Sequence, residues 1–183
     1  IEPFKVADDA PVVALIYGLG QIPRGDSDYG GALGGFVMGA DTVTEAFAAA
    51  VDDPEVGAIL FRVDSGGGSA VASETIARAV RRAVEAGKPV IVSMGDTAAS
   101  GGYWVAMSST KIVAQPGTLT GSIGVVAGKM VFRDLLERLD VRWGSVQRGD
   151  NADMWSPLEG YEAAVRARLQ AFLDQVYEAF ISC

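Results

Sequence analysis

Ser100 lies in the run Asp96-Thr97-Ala98-Ala99-Ser100-Gly101-Gly102-Tyr103, in a 183-residue chain that contains no histidine. A lone serine among small residues, at the predicted end of a strand and followed by two glycines, has the pattern of a nucleophile on a tight strand-to-helix turn. Without histidine a Ser-His-Asp triad cannot be assembled from this chain. A proton leaving Ser100 needs another acceptor, and the usual substitute is a lysine kept neutral by burial. The competing structural role for the same run is a small-residue helix start packed closely on a sheet.

A second candidate is Gly66-Gly67-Gly68, between a predicted strand and a predicted helix. Consecutive glycines let backbone N–H groups point into open space at a helix start, where the helix dipole favours negative charge. Such a turn can hold a phosphate or the oxyanion of a tetrahedral intermediate. The GxGxxG spacing of a dinucleotide site and the lysine of a P-loop are both missing, so no nucleotide cofactor is expected. The polar stretch Thr118-Leu119-Thr120-Gly121-Ser122-Ile123-Gly124 is a third candidate. By itself it reads as a loop held by hydroxyl-to-backbone bonds.

These runs need a scaffold. Pro11–Tyr17 reads as a buried strand, and residues 18–39, with eight glycines, as a long loop. Asp41 is the expected N-cap of a helix to about Val51. A strand over Val56–Val63 runs straight into the glycine turn. A helix over Ala70–Ala86 carries Ile76, Val80 and Val84 on one stripe and ends at Gly87. A strand over Val90–Ser93 precedes the Ser100 turn. Further on, the pattern predicts a helix over Gly102–Ser108, a strand over Lys111–Ala114 and a loop over 115–124. A helix over Phe132–Leu139, a strand over Val141–Gln147 and a long helix over Leu158–Phe180 complete the series. Alternation of strands and helices implies an α/β fold. If the strands at 56–63 and 90–93 are parallel neighbours, the turns after them share one sheet edge, where α/β active sites gather.

The bulk numbers narrow the classes. The chain is one domain by length, large enough to bury a sizeable core. A net charge of −8 and a pI near 4.5 argue against nucleic acid or an anionic membrane as a direct partner. No apolar run reaches the ~18–20 residues of a membrane span. The single cysteine, Cys183, cannot form a disulfide within the chain. No metal site is expected. The chain opens on Ile1 and stops at Cys183 inside an amphipathic stretch, so both ends read as cuts and a longer parent protein is expected.

Taken together, FRVDSGGGSA, VSMGDTAASGGYWVA and IVAQPGTLTGSIGV resemble the signal peptide peptidase A family, the serine/lysine peptidases of bacterial envelopes. The resemblance covers nearly all of residues 1–183. It implies a Clp-protease/crotonase-like fold of stacked β-β-α units and no cofactor. It also implies that Ser100 is the nucleophile, that Gly68 and Gly101 supply the oxyanion-hole N–H groups, and that Ser122 orients the general-base lysine. Further implications are a peptide substrate of the signal-peptide-remnant kind, a ring-like homo-oligomer, and attachment to the bacterial inner membrane with the catalytic domain facing the periplasm. The stretch 30–39, with Leu33, Phe36, Val37 and Met38, would line substrate pockets or an inter-subunit contact.

Two departures stand out. Ser65-Gly66-Gly67-Gly68 replaces the family's Ser-Pro-Gly-Gly, which loosens the turn but keeps the donors. More consequential, the segment resembling S-G-x-x-K-D-x-x-S-P reads Arg148 to Pro157, with Ala152 at the lysine position, 52 residues after Ser100. Three accounts are open. In the first, and preferred, this is the nucleophile-bearing C-terminal half of a tandem-domain member whose N-terminal half, or a neighbouring protomer, supplies the lysine. In the second, Ala152 is an engineered replacement. In the third, Lys129 or one of Lys5, Lys88 and Lys111 serves, although the last three read as surface residues. Two other functional classes also remain: a crotonase-like acyl-CoA enzyme with Asp64 or Asp96 as base, and a catalytically silent assembly domain.

Overall fold

A computed structural model describes residues 10, 12–29 and 34–182. Lys5, Pro11 and Leu33 lie outside them. The described residues form two compact units, one ending at Ile123 and the other spanning Gly124–Ser182.

The first unit is α/β, as expected. Its elements are β1 (Val12–Leu19), β2 (Asp28–Tyr29), β3 (Phe36–Val37), α1 (Ala40–Asp52), β4 (Val56–Ser65), α2 (Ala70–Glu85), β5 (Val90–Ala99), α3 (Gly101–Met107), β6 (Lys111–Val113) and β7 (Leu119–Gly121). The main sheet runs β1-β4-β5-β6, with β7 also on β5, and every pairing in it is parallel. The predicted neighbours β4 and β5 do lie side by side. The short β2 and β3 form a separate antiparallel pair.

Burial alternates along β4: Ile59, Phe61, Val63 and Ser65 are buried, while Ala58, Leu60, Arg62 and Asp64 are half-buried. The buried face meets Val43, Phe47 and Ala50 of α1 and Ile76, Val80 and Ala83 of α2, with Phe47 and Phe61 edge to face at 5.2 Å. Apolar side chains at helical spacing thus meet apolar side chains at strand spacing in one core. The core anchors the C-terminal ends of β4 and β5.

Several expectations change. β1 is an edge strand with Val13, Leu15 and Tyr17 exposed, not a buried one; an apolar run does not reveal how many neighbours its strand has. Residues 18–39 are not all loop, since they complete β1 and contain β2 and β3. Gly39 is the N-cap of α1 and Asp41 lies in its first turn. Lys88, expected at the surface, is half-buried, and its Nζ donates to the carbonyls of Ala50 and Asp53 at the end of α1.

The largest change is at β5, which runs ten residues rather than four. Its register against β4 slips after Val63↔Met94, resuming at Ser65↔Ala98. Two extra residues of β5 are accommodated in this bulge. The Asp64 carboxylate holds it, accepting from the Thr97 N–H at 3.1 Å and the Asp96 N–H at 3.4 Å. Thr118 Oγ1 donates to the Gly95 carbonyl at 2.9 Å. The bulge separates the stretch of β5 that pairs with β6 from the stretch that pairs with β7.

The second unit contains α4 (Arg133–Arg138) and α5 (Ala163–Ile181). Leu169 and Phe180 are its buried apolar side chains among the described residues. The strand predicted over Val141–Gln147 is absent: that segment has no regular structure, and Trp143 and Val146 are exposed. Alternating apolar residues there have no strand beside them to pair with. The long helix starts at Ala163 rather than Leu158. Among the described residues, no helix is long and apolar enough to cross a membrane.

Candidate active site

Ser100 sits where β5 ends and α3 begins, as the N-cap of α3, with φ 51° and ψ −120°. A non-glycine residue seldom adopts this conformation, so surrounding contacts must hold it. Ser100 N–H donates to the Gly121 carbonyl at 2.9 Å, and the Ser100 carbonyl accepts from Tyr103 and Trp104, both at 2.9 Å. The residue is pinned on both sides. Its side chain is half-buried at the C-terminal edge of the parallel sheet.

The glycine turn after β4 abuts this elbow. Gly67 has φ +100°, and a Cβ placed there would lie 2.6 Å from Gly101 N and 3.0 Å from Ser100 Cβ. A Cβ on Gly101 would lie 2.4 Å from Ser73 Oγ and 3.2 Å from Gly68 N. Only glycine permits backbones this close. The buried Ser65 hydroxyl accepts from Gly67 N–H at 3.1 Å. Ile22 pairs with the same turn, donating to the Gly67 carbonyl at 3.1 Å and accepting from Ser69 N–H at 2.8 Å. Among the described residues, the N–H groups of Gly68 and Gly101 meet no protein acceptor. Two free N–H groups at two helix starts, beside one hydroxyl, can stabilise an anion.

Ser122 follows Gly121 and also has positive φ, 51°. It is exposed, next to the carbonyl that receives the Ser100 N–H. The three sequence candidates therefore gather on one edge of the first unit: Gly68, Ser100 with Gly101, and Ser122.

The candidate bases fare differently. Both oxygens of Asp64 are engaged by the β5 bulge, and Asp96 is an exposed member of that bulge, which weighs against carboxylate-base chemistry. Lys111 is exposed at the start of β6. Lys129, in the second unit, holds its Nζ 4.6 Å from the Tyr161 ring centroid, within reach of the ring face. Ala152 is exposed in the turns of residues 149–156 of the same unit.

Sequence reasoning missed the residues that brace the site. Ser73 is fully buried against Gly101 and donates to the Ser69 carbonyl at 3.0 Å. Glu74 accepts from Trp104 Nε1 at 3.1 Å and from Arg78 Nε at 2.8 Å. Burial pushes the Glu74 pKa up. The hydrogen bonds from Arg78 and Trp104, with the charges of Arg78 and Arg81, outweigh it and leave the pKa below its ordinary value. Helical spacing marks these side chains as facing neighbours but does not say which ones.

The sequence profile of peptidase family S49 matches residues 82–183. The chain belongs to peptidase family S49. Protease 4 of Salmonella typhi is 38% identical over 176 residues, covering 96% of this chain and 27% of the relative. Protease 4 of Haemophilus influenzae is 36% identical over 171 residues, covering 92% and 26%. The chloroplastic serine protease SPPA of Arabidopsis thaliana is 39% identical over 115 residues, covering 63% and 17%. The chain thus spans about a quarter or less of the length of these relatives. Among solved structures, a mutant of the 1510-N membrane-bound stomatin-specific protease with a substrate peptide is 20% identical, with a TM-score of 0.48. That match covers 91% of this chain and 59% of the other. A ClpP1 mutant from Listeria monocytogenes is 16% identical with a TM-score of 0.44, covering 93% and 77%.

Proposed function

We propose that this S49 chain is a single nucleophile-bearing peptidase segment whose Ser100 attacks the carbonyl of an apolar peptide. The observation that carries the reading is the conformation of Ser100. It is held at positive φ by the Gly121 carbonyl, beside two N–H groups without a protein acceptor. Strain at a residue fixed from several sides is a mark of function more than of stability.

In the proposed reaction a neutral lysine amine takes the Ser100 hydroxyl proton as Oγ bonds to the peptide carbon. The carbonyl oxygen becomes an oxyanion facing Gly68 and Gly101 N–H, each worth roughly 10²–10³ in rate. The lysine returns its proton to the leaving amine as the C–N bond breaks, giving an acyl-enzyme on Ser100. Water, deprotonated by the same amine, then releases the acid. Ser122 orients the lysine. With alanine at position 152 and Lys129 engaged by Tyr161, the lysine comes from outside this segment, from another part of the full protein or from a neighbouring protomer.

The substrates are remnants of signal peptides, apolar with small residues. A cleft of about 540 Å³ in the first unit, walled by Tyr17, Leu19, Tyr29, Phe36, Val37 and Met38 with Ser27 and Asp28, supports this preference through its apolar part. The setting is the bacterial inner membrane, with the catalytic part facing the periplasm in a ring-like homo-oligomer.

The test compares an apolar peptide substrate with the full-length protein and with this chain alone. Full-length protein should turn it over and lose all turnover in Ser100→Ala, whereas the isolated chain should form no acyl-enzyme. Acylation of Ser100 in the isolated chain, abolished by Lys129→Ala, would overturn the external-lysine reading.

A further inference from the structure

The Gly101 N–H opens α3, and the Gly68 N–H lies in the turn two residues before α2 begins at Ala70. A helix start positions its first N–H groups only as well as the helix itself is held. Neither glycine has a side chain with which to fix its own place. Ile22 and Ser65 hold the glycine turn locally, and the spacing between the two donors depends also on how α2 and α3 are held against each other.

A side-chain hydrogen bond joins the two helices near their starts. Glu74, one turn into α2, accepts from the indole Nε1–H of Trp104, one turn into α3, at 3.1 Å. Trp104 is buried, and its own backbone N–H donates to the Ser100 carbonyl at 2.9 Å. Trp104 is thus bonded to the nucleophile's peptide through its main chain and to the opposite helix through its side chain. Arg78, one turn further along α2, donates to the other Glu74 oxygen at 2.8 Å and fixes the direction of the carboxylate. Next to Glu74, Ser73 packs its hydroxyl against Gly101. The packing of Ser73 where a Gly101 side chain would stand and the directional hydrogen bond of the adjacent Glu74 hold the two helices together near their starts.

We infer that Glu74 and Trp104 form a clasp that sets the distance between the Gly68 and Gly101 N–H groups, making both positioning residues for the oxyanion site. The inference rests on the peptidase reading above. As positioning residues, the two act on the rate of the chemical step and not on peptide binding. Misplacing a donor by about 1 Å can cost about a hundredfold in rate.

The experiment is steady-state turnover of an apolar peptide by the full-length protein in wild type, Glu74→Ala, Glu74→Gln, Trp104→Phe and the Glu74→Ala/Trp104→Phe double variant. Glu74→Ala and Trp104→Phe should each lower kcat about 10- to 100-fold with KM within about twofold of wild type. Glu74→Gln keeps an oxygen for the indole N–H and should restore kcat to within about threefold. The double variant should be no slower than the slower single variant, because both substitutions remove the same bond. If Glu74→Ala does not fold, Trp104→Phe and Glu74→Gln carry the same decision.

Unchanged kcat in Trp104→Phe, a Glu74→Gln variant as slow as Trp104→Phe, or multiplying losses in the double variant would each overturn the clasp. The peptidase reading fails separately: wild-type turnover that survives Ser100→Ala overturns it, and the positioning role with it. Turnover that needs Ser100 but ignores Trp104→Phe overturns the clasp alone.

Discussion

The Ser100 N–H donates to the Gly121 carbonyl at 2.9 Å, joining the end of β5 to the end of β7. This bond brings the segment bearing Ser122 beside Ser100 although the two serines are 22 positions apart. It also holds Ser100 at φ 51°, a conformation that its side chain disfavours. This contact, with the Tyr103 and Trp104 N–H groups on the Ser100 carbonyl, holds both the position and the strain of the proposed nucleophile.

That strain should be measurable. Replacing Ser100 with glycine removes a conformational cost of ~1–3 kcal/mol but adds ~0.5–1 kcal/mol of unfolded-state entropy. Ser100→Gly should therefore be about 1 kcal/mol more stable than wild type and inactive, while Ser100→Ala should be inactive with little gain. Denaturant melts read the difference, and a loss of stability in Ser100→Gly would contradict the strain argument.

The bulge in β5 makes a second expectation. Asp64 accepts from two consecutive N–H groups, Asp96 and Thr97, in the bulge. Hydrogen bonds to a charged group contribute about 1.5–3 kcal/mol, less where water can replace them. Asp64→Ala should cost about 1–2 kcal/mol and speed amide exchange at Thr97 and Ser100. Exchange unchanged at Ser100 would mean that the bulge and the elbow are independent.

Much of this site is legible in the sequence, because its chemistry is written in local turn residues. Ser100-Gly101 and Gly66–Gly68 announce themselves, and so do the strands that feed them. The extension of β5 through Gly95, Asp96 and Thr97 does not. Those residues read locally as a turn, and they remain in the strand because Asp64, more than thirty positions away, accepts from the Asp96 and Thr97 N–H groups and Thr118 donates to the Gly95 carbonyl. β7 is three residues in a polar loop, too short for any periodicity to mark. Val141–Gln147 errs the other way: its pattern suits a strand, but a strand needs a neighbour. Partners distant in sequence decide all three cases.

Acid should act through Glu74. Its pKa is lowered in the folded state, so its stabilising contribution is complete above the ordinary glutamate value of about 4.3 and fades as the pH falls through the lowered value. Melting temperature should fall more steeply with acidification below about pH 4.3 in wild type than in Glu74→Gln, which has no proton to gain. Parallel curves for the two proteins would show that Glu74 adds nothing to the pH dependence.

The most direct test of the central claim is labelling of the full-length protein by a fluorophosphonate serine probe, with the modified residue located by mass spectrometry. The proposed chemistry predicts one adduct in this segment, on Ser100, absent from Ser100→Ala and slowed by Ser122→Ala. Failure to label Ser100 in protein that turns over peptide, or labelling that persists in Ser100→Ala, would contradict it.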